Sequence, residues 1–258
     1  MRKGTSIILA ALTASALMLG GCGEPKAAKE ARLKGIEQVK SGDYASAVES
    51  FDLALKEADG VVNAFELDIL KYRGEAEFML EDYTAAAHTY GILADVDEKE
   101  PEYLYYKAAS EAMSGDPDTA AETYAKAKET VKSEEKTAAG AGIAVSSIAD
   151  AYRTAGNYDK AVEFCEAAIS SGISGPGIYN QMGLCMMAAE RFDEAISYFE
   201  QGIAMGGSEE SRQMMYNVGA VYEKRGDFAK ALETFRSYVA EYGSTPELEK
   251  EIAFLESR

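Results

Sequence analysis

Proline, tryptophan and histidine are scarce in this sequence of 258 residues, which has five prolines, one histidine and no tryptophan. A proline in a helix interior destabilises the helix by about 3 kcal/mol. With only five prolines, most of the chain is free to be helical. The single histidine, His88, has no second histidine with which to build a metal site or a catalytic pair. We therefore expect a helical protein that is not an enzyme and that needs no metal or cofactor.

Basic residues are also fewer than acidic residues. The chain has 26 lysine and arginine residues against 44 aspartate and glutamate residues, which gives a formal net charge of −18 at pH 7. Nucleic-acid binding depends on a basic surface that neutralises phosphates. Hydrophobic residues still make up 47% of the sequence, which is enough to fold. We expect a folded, acidic protein whose partners are not nucleic acids.

The N-terminus lacks a hydrophobic run long enough to cross a membrane. The apolar run from Ile7 to Leu19 has 13 residues, whereas a spanning helix needs about 20. Arg2 and Lys3 precede this run, and a Leu-Gly-Gly-Cys stretch ends it at Cys22. These residues resemble the signal peptide and lipobox of bacterial lipoproteins, in which the cysteine thiol is lipidated and the cysteine becomes the mature N-terminus.

This resemblance implies a signal peptide over residues 1–21 and diacylglycerol and acyl groups on Cys22. It also implies an extracytoplasmic protein that lipid anchors to a bacterial cell membrane or envelope. An ordinary secretory signal with an incidental cysteine is the alternative.

Residues 22–27 then form a short tether, so the first basic residues lie close to the bilayer. Each basic residue near an anionic surface contributes about 1 kcal/mol. We expect this segment to rest on lipid headgroups; the alternative is that its lysines only solvate a first helix. The membrane-proximal basic residues are Lys26, Lys29, Arg32 and Lys34.

An internal repeat fills most of the remaining chain. The stretch SGDYASAVESFDLAL at residues 41–55 returns as AGNYDKAVEFCEAAI from residue 155, as AERFDEAISYFEQGI from 189 and as RGDFAKALETFRSYV from 225. In six copies a small residue is followed at fixed distances by a turn, an aromatic residue or Pro117, and an alanine. Small residues let two helices approach closely, and aromatic rings fill the space between copies. The repeat alanines are Ala47, Ala86, Ala120, Ala161, Ala195 and Ala231.

The pattern resembles the tetratricopeptide repeat, a helix-turn-helix unit of 34 residues. The resemblance covers about residues 28–245 and implies an all-α, right-handed superhelical solenoid of six helix pairs. One pair cannot bury its apolar side alone, so the pairs must stack. Asn63 with Glu66 predicts an early helix start before repeat 2, and Thr245 opens a predicted capping helix over residues 246–258. The repeats start near residues 28, 67, 101, 142, 176 and 212.

Two glycines and two cysteines inside the repeats are the residues that a chemical role would use. No strand precedes Gly140 and Gly142 and no third glycine follows in register, so they do not form a phosphate loop. We expect both in the first helix of repeat 4. Cys165 and Cys185 are too few for a disulfide framework. We expect buried free thiols, although their adjacent repeats leave a disulfide open.

In this family the first helices line a concave groove, and its positions carry over to nine residues of this chain. They are Lys71, Tyr72, Phe78, Tyr105, Tyr106, Met113, Asn180, Tyr216 and Asn217. Tyr72, Phe78, Tyr105 and Tyr106 form the predicted centre of binding, since aromatic side chains commonly carry binding hot spots. The alternative is that these rings pack between repeats and never reach solvent.

The resemblance implies a scaffold or adaptor that binds a protein or peptide segment in this groove, in envelope assembly or in organising a complex. A glycan-binding surface module that stacks sugars on groove tyrosines is the alternative. Peptide binding would also use asparagine side chains along an extended backbone, whereas sugar binding needs a compact aromatic pocket.

Overall fold

The computed structural model describes residues 24–58, 62–130, 140–206 and 208–258. Within these ranges the chain forms thirteen α-helices and no strand, which confirms the predicted all-α class. The predicted signal peptide and Cys22 lie outside the described residues. None of the helices described is long and apolar enough to cross a membrane. The helices are α1 (Lys26–Lys40), α2 (Tyr44–Glu57), α3 (Ala64–Met79), α4 (Tyr83–Val96), α5 (Pro101–Met113), α6 (Pro117–Thr130), α7 (Ala141–Thr154), α8 (Tyr158–Ser170), α9 (Pro176–Ala188), α10 (Phe192–Ala204), α11 (Ser208–Arg225), α12 (Phe228–Tyr242) and α13 (Pro246–Glu256).

Twelve of these helices form six pairs. In each pair an odd-numbered first helix packs against the even-numbered second helix that follows it, and α13 packs on α12. The predicted six helix pairs and terminal helix are therefore confirmed. The chain divides into two compact units: an N-terminal unit that ends at Gly140 and holds α1–α6, and a C-terminal unit that begins at Ala141 and holds α7–α13.

The turn inside each pair requires a residue in the left-handed conformation. Gly42 and Gly226 have φ angles of 78° and 82°, which glycine adopts without a Cβ clash. Glu81 and Glu190 hold the same position at 63° and 59°, where a side chain costs about 1–2 kcal/mol. The repeat pattern therefore fixes the place of the turn even where it does not supply a glycine.

Side chains that accept backbone N–H groups set two of the helix starts. Asn63 Oδ1 accepts from the N–H of Phe65 at 2.7 Å and of Glu66 at 3.4 Å, so α3 begins earlier than the repeat spacing alone would place it. Thr245 Oγ1 accepts from the N–H of Leu248 at 3.2 Å where α13 begins. Both predicted helix starts are confirmed.

A glycine lets the two helices of a pair touch. At Gly183 an added Cβ atom would lie 2.5 Å from Cε1 of Phe199, and the same approach occurs between Gly35 and Phe51. The aromatic ring of the second helix therefore lies directly on the backbone of the first. The six repeat alanines are at most 1% exposed, so a larger side chain at any of them would overpack the core.

Gly140 lies outside a helix, which corrects the expectation that it belongs to the first helix of repeat 4. Its φ angle is 82°, and α7 begins at the next residue. An added Cβ atom would lie 3.3 Å from Cβ of Tyr105 and from ring atoms of Tyr106. Glycine at this position therefore allows a turn and a close approach of the backbone to two tyrosine side chains.

Cys165 in α8 and Cys185 in α9 are free and buried, which confirms the predicted buried thiols. Burial raises the pKa of the Cys165 thiol to about 12 and that of the Cys185 thiol to about 11. Because the thiolate is the reactive form, both groups are inert at neutral pH. They pack as small apolar side chains.

Candidate functional site

In the N-terminal unit, charged side chains join neighbouring first helices. Arg32 of α1 donates from Nε to Asp68 Oδ2 of α3 at 2.6 Å, and its guanidinium carbon lies 5.9 Å from the centroid of the Phe65 ring. Lys71 of α3 places Nζ 5.2 Å from the centroid of the Tyr103 ring of α5. These contacts link α1, α3 and α5 along the first-helix face of this unit.

Lys71, a predicted groove residue, is held by this face. Burial acts to lower the pKa of its ammonium group, but the hydrogen bond with Tyr103 and the nearby charges of Tyr103, Glu102 and Asp68 outweigh burial and raise the pKa. Lys71 therefore stays positively charged at neutral pH although it is partly buried. Its contact with Tyr103 is a cation–π interaction that stabilises the packing of α3 on α5.

Three of the four rings predicted as the binding centre are buried, which corrects that prediction. Phe78, Tyr105 and Tyr106 are 4%, 1% and 2% exposed. The centroid of the Tyr105 ring lies 5.5 Å from that of Tyr124 of α6. The Tyr106 ring stacks on Tyr90 of α4 with the ring centroids 5.2 Å apart. The repeat register correctly assigns these residues to first helices. Their aromatic side chains are long enough to reach the second helices, where they fill the core. They are not exposed for a partner to contact.

Tyr72 and Met113 are the other predicted groove residues of this unit, and both are half-buried. The Tyr72 ring stacks on Phe51 of α2 with the ring centroids 6.0 Å apart. One face of Tyr72 therefore belongs to the core. With the rings of α5 buried, the exposed aromatic patch expected on this unit is not formed.

A buried ion pair that the sequence analysis did not predict joins the first two helix pairs. Arg73 Nη1 lies 2.9 Å from Glu77 Oε1 within α3, and Arg73 Nε donates to Asp52 Oδ1 of α2 at 2.8 Å. Thr89 Oγ1 of α4 donates to Glu77 Oε2 at 2.6 Å. Glu77 is 2% exposed, and burial raises the pKa of its carboxyl group. The spacing of Arg73 and Glu77 is a sequence signal for a helical pair, but only packing decides that the pair is buried.

The four basic residues predicted to lie at the membrane differ in availability. Lys26 and Lys34 are exposed and Lys29 is half-buried, all on α1. Arg32 has 19% of its side chain exposed and is bound to Asp68. Its guanidinium is therefore committed to α3, which corrects its inclusion among residues free to meet headgroups.

In the C-terminal unit, amide side chains connect the first helices. Asn217 Nδ2 of α11 donates to Asn180 Oδ1 of α9 at 3.1 Å, and Gln213 Nε2 donates to Asn217 Oδ1 at 3.2 Å. Arg153 of α7 donates from Nε to Gln181 Oε1 of α9 at 3.0 Å. We call these five residues the amide ladder; their side chains link α7 to α9 and α9 to α11.

Asn180 and Asn217 were both expected to face a partner, but the ladder gives them different roles. Asn217 is 8% exposed and uses its oxygen and its nitrogen within the ladder, so it positions Asn180 and does not meet a partner. Asn180 and Gln181 are half-buried, and each accepts a hydrogen bond at its oxygen. Among the described residues, no acceptor engages Asn180 Nδ2 or Gln181 Nε2.

Tyr216, the last predicted groove residue, is 39% exposed and lies in a cleft near the C-terminal end of its unit. The cleft has a volume of about 190 Å³ and lies where α11, α12 and α13 meet. Sequence reasoning found Tyr216 and missed Tyr238, because the repeat register assigns groove positions to first helices only. The residues that line this tyrosine cleft are Arg212, Gln213, Tyr216, Tyr238, Thr245 and Leu248.

Comparison with known families agrees with this architecture. A tetratricopeptide repeat model matches residues 32–91, 73–135 and 186–246, and a second tetratricopeptide repeat model matches residues 145–171. The chain is a tetratricopeptide repeat protein. Among curated proteins, no sequence matches it.

Several solved structures share this fold at low sequence identity. A tetratricopeptide repeat protein from Parabacteroides merdae is 16% identical, with a TM-score of 0.60 over 90% of this chain and 88% of its own. PilW, a widely conserved type IV pilus biogenesis factor, is 15% identical, with a TM-score of 0.62 over 88% of this chain and 99% of its own. PilF of Pseudomonas aeruginosa is 12% identical, with a TM-score of 0.57 over 88% of this chain and 97% of its own. At these identities the likeness shows the fold alone.

Tetratricopeptide repeat proteins generally serve as non-enzymatic interaction scaffolds. In the part of the chain that the structure describes, no group of three or more histidine, cysteine, aspartate or glutamate side chains is placed to hold a metal ion.

Proposed function

We propose that this tetratricopeptide repeat protein is a lipid-anchored scaffold on the outer side of a bacterial cell membrane, and that it binds a peptide segment of an envelope protein on the amide ladder. The family supports protein binding in general. PilW, which has a similar fold, acts in pilus biogenesis and offers envelope assembly as a context.

The amide ladder is the observation that carries the proposal. A peptide in extended conformation presents a carbonyl group at every residue, and each needs a hydrogen-bond donor when it leaves water. Asn180 Nδ2 and Gln181 Nε2 are two donors on adjacent residues of α9, and the ladder fixes the oxygen of each amide. Since the ladder settles the orientation before binding, little side-chain entropy is lost when a peptide carbonyl accepts from them.

The N-terminal residues are the basis for proposing a lipid anchor. A basic start, a short apolar run and a cysteine after two glycines are the features of a lipoprotein signal. Two acyl chains hold a protein on a bilayer stably where one chain is marginal. Lipid on Cys22 therefore places the scaffold beside other envelope proteins.

Site-specific photo-crosslinking in living cells tests the client site. We place a photo-reactive residue at Met187, which lies on α9 seven residues after Asn180 and so on the same side of the helix. The control position is Glu200, which is exposed on the second helix α10. We expect a crosslinked client protein from position 187 and none of that protein from position 200.

A substitution then ties the crosslink to the ladder. Asn180→Leu keeps the branched shape of the side chain but has no amide donor, so it should remove most of the crosslink at position 187. Gln201→Leu, at an exposed position of α10, should leave the crosslink unchanged. Circular dichroism confirms that both variants keep their helices. Equal yields from Asn180→Leu and the unsubstituted chain would show that the ladder does not hold the client.

A further inference from the structure

The tyrosine cleft has a wall of aromatic rings. The centroids of the Tyr216 and Tyr238 rings lie 6.1 Å apart with an angle of 72° between the ring planes. The Tyr242 ring packs against Tyr238 with the ring centroids 5.4 Å apart, but Tyr242 does not itself line the cleft. Two rings at a steep angle form a corner, and a flat apolar surface can lie against one ring while its edge meets the other. Tyr216 is 39% exposed, so its ring is accessible from solvent.

Polar groups around this corner keep hydrogen-bonding capacity. Gln213 uses its nitrogen to donate to Asn217, and no donor among the described residues engages its oxygen. Arg212 contacts Glu209 through Nη2, so Nε and Nη1 remain as donors. The Thr245 hydroxyl accepts from a backbone N–H and keeps its own hydrogen to donate. The cleft therefore offers an apolar wall together with donors and an acceptor beside it.

Charge around the cleft argues against an ionic ligand. Arg212 lines the cleft and would repel a cation. An anion would meet Glu251 and Glu223, which are near enough to Tyr216 that, after burial, their charges help to raise the pKa of its hydroxyl. An aliphatic chain would leave Gln213 and Arg212 without the water they bind, and such polar groups cost free energy when they are buried unpaired.

The ligand that fits is neutral, has an apolar face and carries polar groups at its edge. A pyranose sugar ring has this chemistry, since its C–H bonds form an apolar face and its hydroxyl groups lie around the rim. The cleft volume of about 190 Å³ is below that of sites for drug-sized ligands, so it accommodates one ring rather than a long segment.

We propose that the tyrosine cleft binds one ring of a neutral carbohydrate. The C–H face of the sugar stacks on Tyr216, and its hydroxyl groups bond to Gln213, Arg212 and Thr245. The cleft shares Gln213 with the amide ladder but includes neither Asn180 nor Gln181, so the carbohydrate and the peptide carbonyl groups bond to different side chains of the C-terminal unit.

Saturation-transfer difference NMR and titration calorimetry on the full-length protein test the site. The probes are cellotriose, maltotriose, mannotriose and N,N′,N″-triacetylchitotriose, all neutral. We expect saturation transfer to the C–H protons of one sugar face for at least one probe. Tyr216→Ala should weaken that binding by about tenfold, as expected from the loss of a stacking ring, and Tyr216→Phe should retain most of it.

Tyr158→Ala is the matched control, because Tyr158 is 38% exposed and lies on α8 of the same unit. The affinity of the Tyr158→Ala variant for the sugar should stay within roughly twofold of that of the unsubstituted protein. Absence of saturation transfer to every probe overturns the proposal, as does an equal loss in the Tyr216 and Tyr158 variants. Binding of a neutral proline-rich peptide without binding of any sugar also overturns it and assigns the cleft to peptide. The crosslink at position 187 should be unaffected by Tyr216→Ala, so failure here leaves the client proposal to its own test.

Discussion

In several helix pairs, one glycine of the first helix decides how closely the two helices approach. In α9 an added Cβ atom at Gly183 would lie 2.5 Å from the Phe199 ring, a distance that real Cβ contacts do not reach. Alanine is the better helix former by about 1 kcal/mol. At this position the steric conflict is the larger effect, because the ring is fully buried and has no room to move.

Gly183→Ala should therefore destabilise the protein by about 1–3 kcal/mol, as overpacking does in other cores. The measurement is the free energy of unfolding from urea denaturation followed by circular dichroism. Gly142→Ala is the control, since Gly142 lies in α7 with no atom within 4 Å of the Cβ position. It should stabilise the helix by about 0.5–1 kcal/mol. A gain in stability at position 183 would contradict the packing described for this pair.

At the scale of one element, α13 covers the apolar end of the last helix pair. Leu248 and Leu255 of α13 are 3% and 4% exposed and pack with Ala231 and Phe235 of α12. A repeat array needs such a cap, because its last pair has no further pair on which to pack. The predicted role of residues 246–258 is consistent with these contacts.

Leu255→Ala should cost about 2–4 kcal/mol, because it removes a buried side chain and leaves a cavity. Its neighbour in sequence, Phe254, is 43% exposed, so Phe254→Ala should cost less than about 1 kcal/mol. Thermal unfolding of the two variants, measured under the same conditions, gives the comparison. Equal melting temperatures would mean that α13 does not form part of the core.

At the scale of the whole molecule, the excess of carboxyl groups makes stability depend on pH. The formal net charge is −18, and several carboxyl groups are buried or half-buried in the folded chain. Burial raises the pKa of Glu75, which no described cation or hydrogen-bond donor engages, and it raises the pKa of Glu77. A carboxyl group with a raised pKa takes up a proton in the folded state before it does so in the unfolded state.

The folded state therefore binds more protons than the unfolded state between the ordinary pKa of these groups and their raised pKa. Stability should rise as the pH falls from neutral toward the ordinary range, and this gain is absent above the raised pKa. Glu75→Gln should flatten the dependence of the melting temperature on pH, whereas Glu122→Gln, exposed on α6, should not. High salt screens the general repulsion between surface carboxylates and leaves the contribution of Glu75. A profile that Glu75→Gln leaves unaltered would show that this carboxyl group is not responsible.

The proposed lipid anchor also belongs to the scale of the whole molecule, and Cys22 carries the prediction. Cys22→Ser should release the protein from the membrane fraction or leave it as an unprocessed precursor, because serine has no thiol to carry the lipid. Fractionation and metabolic labelling with a palmitate analogue measure both results. A variant of mature length that still sediments with membranes would show that the lipobox interpretation is wrong.

We predict that the basic residues of α1 that stay available orient the protein on the membrane to which the proposed anchor holds it. Replacing Lys26, Lys29 and Lys34 with glutamate should move α1 away from anionic headgroups, because each basic residue near the surface contributes about 1 kcal/mol. A depth-dependent fluorescence quencher in the bilayer reads the distance for a probe on α1. Arg32 is left in place, since it holds Asp68. A signal that responds neither to the substitutions nor to salt would rule out an electrostatic orientation.

The sequence by itself determined the helical class, the number of helix pairs and the positions of the turns. These features depend on local propensities and on a short period, so they can be read without knowing which helices become neighbours. Asn63 and Thr245 illustrate this, because a capping side chain acts on the backbone two or three residues away.

Only the tertiary structure decided which of the predicted groove side chains reach solvent. Tyr105 and Tyr106 lie on a first helix as expected, but Tyr124 and Tyr90 come from second helices and enclose their rings. The tyrosine cleft was also unpredicted, since α11, α12 and α13 each contribute a part of it. Burial depends on the lengths of side chains that meet from separate elements, and a repeat pattern records positions along the chain but not those distances.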